Sequence, residues 1–317
     1  IIQMPMEILL LLLGFLLLFA GGKYLVKGSV DIAGHLKIST MVVGVTVVSF
    51  GTSAPELLVS LQAVLKGHPD ISTGNVIGSN ISNIALVLGL TALIIPIPVK
   101  RNTIFFDWPF MMAVSILFYL FILNQELGRL QGIIMMLLLI GYNYYSIWKS
   151  RRNYSISEDK PVTPKLAVAS AIFMVIGSVV ALVYGSKYLV IGAEEIARDL
   201  GVSERAISLS MVAVGTSIPE LVTSLAAAIK KELDISIGNI IGSNIFNILG
   251  ILGTTAIVSP ISINQMIIQF DIFWMLGISL LLLVFLLPLK KGKMNRMEGI
   301  IYLMIYSIYI YILFAQK

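Results

Sequence analysis

Apolar residues run along this chain in long blocks separated by short polar or charged stretches. Crossing the hydrocarbon core of a bilayer takes ~20 apolar residues in a helix. On that measure the blocks predict helices over 6–34, 39–65, 74–97, 103–124 and 129–149, then over 166–198, 203–229, 238–259, 266–288 and 297–315. The first span of each five is longer than a membrane is thick, so strong tilt or an extension along the interface is expected. The run from Met6 to Ala20 could pass for a signal sequence, but its counterpart recurs in mid-chain, so it reads as a span. One long polar segment, carrying Arg151, Arg152, Glu158, Asp159, Lys160, Pro161 and Pro164, separates the two sets. The expected organisation is therefore a five-helix unit over 1–149, a linker over 150–165 and a second five-helix unit over 166–317.

The two units share a pattern. Gly51-Thr52-Ser53-Ala54-Pro55-Glu56 returns as Gly215-Thr216-Ser217-Ile218-Pro219-Glu220, a constant offset of 164 residues. Lys23-Tyr24-Leu25-Val26 and Lys187-Tyr188-Leu189-Val190, Asp70 and Asp234, Pro96 and Pro260, and Asp107 and Asp271 keep the same offset. In the last span it becomes 167, where Gly132-Ile133-Ile134 matches Gly299-Ile300-Ile301. The halves are a duplication. Because five is odd, the second half must enter the membrane from the opposite side, which makes the repeats inverted. The fold class expected is an all-α integral membrane protein of ten transmembrane helices in two inverted five-helix repeats.

Composition agrees with that class. With 57% hydrophobic and 12% charged residues, and a mean hydropathy of +0.94, the chain lacks the polar surface a soluble globule of this size needs. There is no cysteine, which rules out disulfides and thiolate metal sites. The net charge of +5 says less than where the charges lie. Lys37, Lys100, Arg101, Lys149, Arg151, Arg152, Lys160, Lys165, Lys230, Lys231, Lys290, Lys291, Lys293 and Arg296 fall on one face, and Lys66, Arg129, Arg198, Arg205 and Lys317 on the other. The positive-inside bias puts the first face in the cytoplasm. The expectation is a multi-pass protein of the cell membrane with both termini outside and the linker inside. The bilayer is its partner, nucleic acid is not, and a monomer is expected.

Within this frame two carboxylates stand out. Glu56 is the only ionisable residue between Lys37 and Lys66, and Glu220 the only one between Arg205 and Lys230. An intramembrane carboxylate costs roughly 2.5–3.5 kcal/mol even on insertion scales and is kept only with a partner or a wet cavity. Neither helix offers a lysine or arginine, so a cation is the natural partner. Pro55 and Pro219 lack the N–H that would pair the carbonyls of Gly51 and Gly215. Carbonyl oxygens around Ser49–Gly51 and Ala213–Gly215 are expected to be freed, and Thr52 and Glu56 to share one helical face with Ser53 beside them. The following span of each half adds Asn75, Ser79 and Asn83, repeated as Asn239, Ser243 and Asn247. Gly74 with Gly78, and Gly238 with Gly242, predict close helix approach. Carboxylates, hydroxyls, amides and carbonyls without nitrogen or sulfur suit a hard cation such as Ca²⁺ or Na⁺, with Ca²⁺ favoured for its tolerance of irregular coordination. Competition of one Ca²⁺ with two or more Na⁺ for two negative charges is a physical basis for antiport.

Gly-Thr-Ser-x-Pro-Glu followed by Gly-Asn-x-Ile-Gly-Ser-Asn-Ile-x-Asn-Ile, twice over, resembles the two alpha-repeats of the cation/calcium exchanger superfamily, most closely its sodium/calcium exchangers of prokaryotic type. The resemblance implies that Thr52, Ser53, Glu56, Ser79, Asn83, Thr216, Ser217, Glu220 and Ser243 bind ions, helped by the carbonyls of Ser49 and Ala213. It implies no enzymatic activity and no cofactor, with Na⁺ and Ca²⁺ as the transported species, and it makes the long first and sixth helices the pair that slides during alternating access. Asn247 departs from the potassium-dependent branch, which carries aspartate there, so no potassium requirement is expected, while Asn247 still offers an amide oxygen. A Ca²⁺/H⁺ exchanger using the same glutamates is the rival reading, and a cation channel a more distant one.

Other polar positions have plainer readings. Asn80 and Asn244 read as interhelical hydrogen-bonders, as do Asn75 and Asn239. Lys23 and Lys187 snorkel, and Asp107 and Asp271 read as residues that cap or begin helices. His35 and His68 read as solvated helix ends. Tyr142, Tyr144, Tyr145, Tyr306, Tyr309 and Tyr311 read as interfacial belt or packing.

Overall fold

The computed structural model describes residues 6–154, 163–199, 215–286 and 292–315. Long apolar segments satisfy their own backbone groups as helices, the form a lipid-facing chain requires. They are α1 (Met6–Leu36), α2 (Thr40–Thr52), α3 (Ala54–Leu65), α4 (Pro69–Ile94), α5 (Thr103–Phe121), α6 (Arg129–Asn153) and α7 (Val168–Asp199). After the undescribed stretch come α8 (Ile218–Ile229), α9 (Leu233–Val258), α10 (Ile267–Leu286) and α11 (Arg296–Ala315). Among the described residues, eight helices are long and apolar enough to cross a membrane, or nine if α2 and α3 form one bent span. The protein is an all-helical, multi-pass membrane protein. Predicted boundaries hold to within a few residues, except that the polar starts of α4 and α9 are helical from Pro69 and Leu233. Most of the span predicted before Gly215 lies outside the described residues.

α4 and α9 are the innermost helices: 72% and 89% of their most apolar windows are buried, against 28% for α1, α6 and α7. Interior position explains how they hold so many amides and hydroxyls, which would be costly facing lipid. Around them, four two-residue strands tie the ends of the halves together. β1 (Ile97–Pro98) pairs antiparallel with β4 (Lys293–Met294), and β2 (Glu126–Leu127) with β3 (Ile261–Ser262). Each pair therefore joins one half to the other.

α1 and α7 pack through a seam of small residues spaced seven apart. A Cβ on Gly14 would stand 2.9 Å from the Gly185 carbonyl, one on Gly21 3.1 Å from that of Ser178, and one on Gly28 3.1 Å from that of Ala171. A Cβ on Gly192 would stand 2.7 Å from the Glu7 carbonyl. Contacts that descend along α7 as they climb along α1 make the two helices antiparallel. A second close crossing sets α9 against α2: a Cβ on Gly242 would lie 2.5 Å from Val45 Cα, and one on Gly238 3.1 Å from Gly44 Cα. This bears out the predicted approach at Gly238 and Gly242. Among the described residues nothing stands within 4 Å of a Cβ at Gly74 or Gly78, and positions 208 and 209, the counterparts of Gly44 and Val45, lie outside them.

Some expected roles change. Asp107 and Asp271 lie in the opening turns of α5 and α10 as expected, but their side chains are used otherwise than as caps: each accepts a tyrosine hydroxyl, from Tyr142 at 2.9 Å and Tyr309 at 3.0 Å. Burying a carboxylate favours such a partner over solvent. His35 is not simply solvated, since its Nε2 meets the Leu166 carbonyl at 2.7 Å, next to the Lys165 N–H that donates to Asp31 Oδ1 at 2.6 Å.

The seam makes a stability prediction. Gly14→Val should lower the thermal midpoint in detergent by the equivalent of about 1–3 kcal/mol, the usual cost of overpacking, because the Leu189 backbone nitrogen stands 2.7 Å from the new carbon. Gly177→Ala, which meets nothing within 4 Å, should leave the midpoint unchanged.

Candidate functional site

The apolar helix that contains Gly51 breaks at Ser53. Its φ of −85° and ψ of 10° leave the helical region, Pro55 can donate no hydrogen bond, and α2 and α3 meet at 46°. Ser217 repeats the break with φ −84° and ψ 0°. Thr52 and Glu56 therefore do not share one continuous helical face. The bend instead puts Thr52 at the end of one helix and Glu56 in the first turn of the next, where a carboxylate is favoured by the positive end of the helix dipole. Glu220 stands likewise in the first turn of α8.

Both glutamates are wholly buried. Glu56 has no hydrogen-bond partner on either side-chain oxygen. Glu220 accepts from Ser53 Oγ at 2.8 Å and Ser243 Oγ at 3.5 Å through Oε1, while Oε2 is unpaired. Ser53 thus crosses from the first motif to the second carboxylate. Among the described residues neither carboxylate has a lysine or arginine partner. Asn83 Oδ1, Asn247 Oδ1 and Ser217 Oγ are also buried and unpaired. Thr52 Oγ1 lies 3.4 Å from Ser243 Oγ, and Thr216 Oγ1 lies 3.4 Å from Ser79 Oγ. The structure thus links Thr52, Ser53, Ser243 and Glu220 in one network and Thr216 with Ser79 in its counterpart. All of these, with Glu56, Asn83, Asn247 and Ser217, belong to the four polar segments the two motifs supply.

Two expected oxygens stand differently. The Ser49 carbonyl is not freed: it accepts the Ser53 N–H at 3.0 Å, because Ser53, unlike Pro55, still has a proton to give. Ala213 lies outside the described residues. The carbonyl that Pro219 does leave without a helical donor, that of Gly215, accepts Ser186 Oγ at 2.5 Å.

The asparagines divide into pointers and holders. Asn83 Nδ2 donates to Asn244 Oδ1 at 3.1 Å, and Asn247 Nδ2 donates to Asn80 Oδ1 at 3.0 Å. Both amide nitrogens are thus held by equivalent bonds, while both amide oxygens stay without a donor. Asn80 and Asn244 are interhelical hydrogen-bonders, each also reaching the other's backbone carbonyl at 3.4 and 3.2 Å. Asn83 and Asn247 each begin a π-helical turn, 83–88 and 247–252, a widening that recurs at functional sites within helices.

Asn75 and Asn239 hold the carboxylate-bearing turns. Their nitrogens donate to Ser60 and Ser224 at 3.0 Å and to the carbonyls of Glu56 and Glu220 at 3.3 and 3.4 Å. Their oxygens accept from Thr216 at 3.4 Å and Thr52 at 2.9 Å. Ser60 and Ser224 escaped the sequence reading. The signal was present, since each lies four residues beyond its glutamate and the two are 164 apart.

A family model described as sodium/calcium exchanger protein matches residues 6–148 and 170–315, one stretch in each half. The chain belongs to the sodium/calcium exchanger protein family. That is a family of exchangers, not of enzymes. Sodium/calcium exchanger MaX1 of Methanosarcina acetivorans is 33% identical, over 98% of this chain and 99% of its own. The membrane protein MJ0091 of Methanocaldococcus jannaschii is 38% identical over 94% of both chains. A solved structure of the sodium-calcium exchanger NCX_Mj, soaked with Na⁺ and Ca²⁺, superposes with a TM-score of 0.82 at 33% identity over 97% of this chain and 98% of that one.

The holders of this candidate site make a test. Asn80→Ala leaves the Asn247 nitrogen unpaired and its oxygen unaimed, and loss of such an outer partner typically weakens metal binding 10–100-fold. Cation affinity, read by ⁴⁵Ca²⁺ binding to purified protein, should fall by about that factor without loss of the folded peak on gel filtration.

Proposed function

We propose that the chain is a secondary antiporter that exchanges Na⁺ for Ca²⁺ across the cell membrane by alternating access. The observation that carries this is the unpaired set of buried oxygens: both of Glu56, Oε2 of Glu220, and the side-chain oxygens of Asn83, Asn247 and Ser217. Charges out of water without protein partners are tolerable only if a cation completes them. Two carboxylates surrounded by neutral oxygens balance one Ca²⁺ or two Na⁺, so the two ions compete for one site. Glu56 and Glu220 supply the charge; Thr52, Ser53, Ser79, Thr216, Ser217 and Ser243 supply hydroxyls; Asn83 and Asn247 supply amide oxygens. The carbonyl of Ala213 completes the proposed set, whereas that of Ser49, already accepting the Ser53 N–H, is a less available oxygen.

The same reading takes the architecture as ten spans in two inverted repeats, 1–149 and 166–317, joined by a linker over 150–165. Two features support the inversion. α1 and α7, equivalent by the repeat, run antiparallel. β1 precedes α5 whereas its partner β4 follows α10, so helices one crossing out of step share a face. The basic excess on the face of Lys100, Lys149 and Arg151 supports a cytoplasmic linker and external termini. Asn247 brings an amide where a third carboxylate would add charge, so transport should need no K⁺.

In proteoliposomes an outward Na⁺ gradient at equal pH on both sides should drive Ca²⁺ uptake, and K⁺ should be dispensable. Uptake driven only by a pH gradient would instead assign the protein to Ca²⁺/H⁺ exchange, and Ca²⁺ flux with no counter-ion would assign it to channels. Glu56→Gln and Glu220→Gln should each reduce uptake to background while the protein still purifies as a single folded species; near-normal uptake in either would remove that residue from the site.

A further inference from the structure

Apart from Glu56 and Glu220, one carboxylate among the described residues has a buried oxygen with no partner: Asp107, through Oδ2. Its other oxygen accepts the Tyr142 hydroxyl at 2.9 Å. Two further buried hydroxyls, Thr103 Oγ1 and Ser146 Oγ, make no hydrogen bond either, the second lying near the Tyr142 hydroxyl. The three residues are 4%, 1% and 5% exposed. Thr103 and Asp107 bound the π-helical turn that opens α5, and Ser146 lies one turn beyond Tyr142 on α6, so the Asp107–Tyr142 bond brings the pairs together. All three oxygen-bearing residues line a cavity of about 510 Å³.

Three of the charged groups around this cavity, Lys100, Lys149 and Asp234, are already engaged. Lys149 donates to Asn102 Oδ1 at 3.0 Å and lies 4.4 Å from the centre of the Phe106 ring. Lys100 pairs with Asp234 at 2.7 Å, and Glu232 lies at the rim. Lys149 acts on Asp107 through its charge but makes no hydrogen bond to it, so Oδ2 remains an open acceptor.

The duplication supplies an internal comparison. Asp271 and Tyr309 repeat the carboxylate–hydroxyl bond at 3.0 Å, which makes that bond a structural tie common to both halves. The hydroxyls are not common. At the offsets of the repeat, Thr103 is replaced by Ile267 and Ser146 by Leu313. The second half keeps the tie and lacks the additional oxygens.

We propose that this cavity is a second cation site, separate from the one between the motifs, for a single monovalent alkali cation of the Na⁺ type. Asp107 Oδ2, Thr103 Oγ1 and Ser146 Oγ are its protein ligands, and water completes the shell. One carboxylate balances one positive charge, and the hard hydroxyl oxygens suit an alkali cation. A divalent ion would keep an uncompensated charge in a partly enclosed cavity.

The test reads stability, not transport. A ligand that binds only the folded protein stabilises it by RT ln(1 + L/Kd), L being its free concentration, and so raises its melting point as that concentration rises. In a Glu56→Gln/Glu220→Gln background, in detergent at constant ionic strength, replacing N-methyl-D-glucamine with Na⁺ should raise the thermal midpoint. Asp107→Asn should abolish that rise, and Asp271→Asn should leave it intact. Should Asp107→Asn fail to fold, the Thr103→Val/Ser146→Ala pair carries the test through the same loss. No Na⁺-dependent rise in the background, or a rise that survives these substitutions, would overturn the site. A larger rise with equimolar Ca²⁺ would overturn the monovalent assignment.

Discussion

Two glutamates, each in the first turn of a helix, are held wholly out of water among hydroxyls and amides with no basic partner among the described residues. The free energy of leaving such charges unanswered is several kcal/mol per ion even after relaxation, more than any single contact nearby returns. Much of the surrounding structure is arranged around that imbalance. Ser53 and Ser217 interrupt the helices so that the carboxylates sit at positive helix ends. Asn75 and Asn239 pin the turns through Ser60 and Ser224. Asn80 and Asn244 take the amide protons of Asn247 and Asn83, so that oxygen remains aimed and unpaired. Each device settles protein donors elsewhere and leaves acceptors open, which is the arrangement a cation needs.

The two halves repeat this chemistry without being identical in it. Glu220 accepts from Ser53 and Ser243, while Glu56 accepts from neither Ser217 nor any other described side chain. The Gly215 carbonyl takes the Ser186 hydroxyl, and the residue equivalent to Ser186 in the first half is Gly22, which has nothing to donate. A duplicated fold therefore carries an unequal pair of carboxylates. In the exchange reading, this inequality means that ions leaning toward Glu56 and toward Glu220 meet different competition from protein hydrogen bonds.

Packing outside the site follows a second logic. Lipid offers no hydrophobic drive for helix association, so close approach depends on residues small enough to bring backbones together. The seven-residue seam of Gly14, Gly21 and Gly28 against Ala171, Ser178 and Gly185 does this for α1 and α7, and Gly238 and Gly242 do it for α9 against α2. The seam forms few side-chain hydrogen bonds, unlike the amide-laced contacts of α4 with α9. An outer pair held by shape and an inner group held by polar networks are the parts that a sliding mechanism, as the family resemblance implies, would require.

Much of the site was legible in the chain because its signals are local and doubled. An isolated carboxylate in an apolar run, a proline one residue before it, and the same hexapeptide 164 residues later identify the motif without any tertiary contact. Membrane class and the positions of most helices follow from hydropathy, since the bilayer sets segment length. What the chain alone left undecided depends on where oxygens and protons meet across helices. Pairing decided that the Ser49 carbonyl is occupied, that Asn80 and Asn244 hold their neighbours, and that Asp107 bonds Tyr142 instead of capping a helix. Residue type and spacing state which groups can donate or accept. Only the packed helices determine which of those acceptors, at Glu56, Glu220, Asn83, Asn247 and Asp107, remain without a donor.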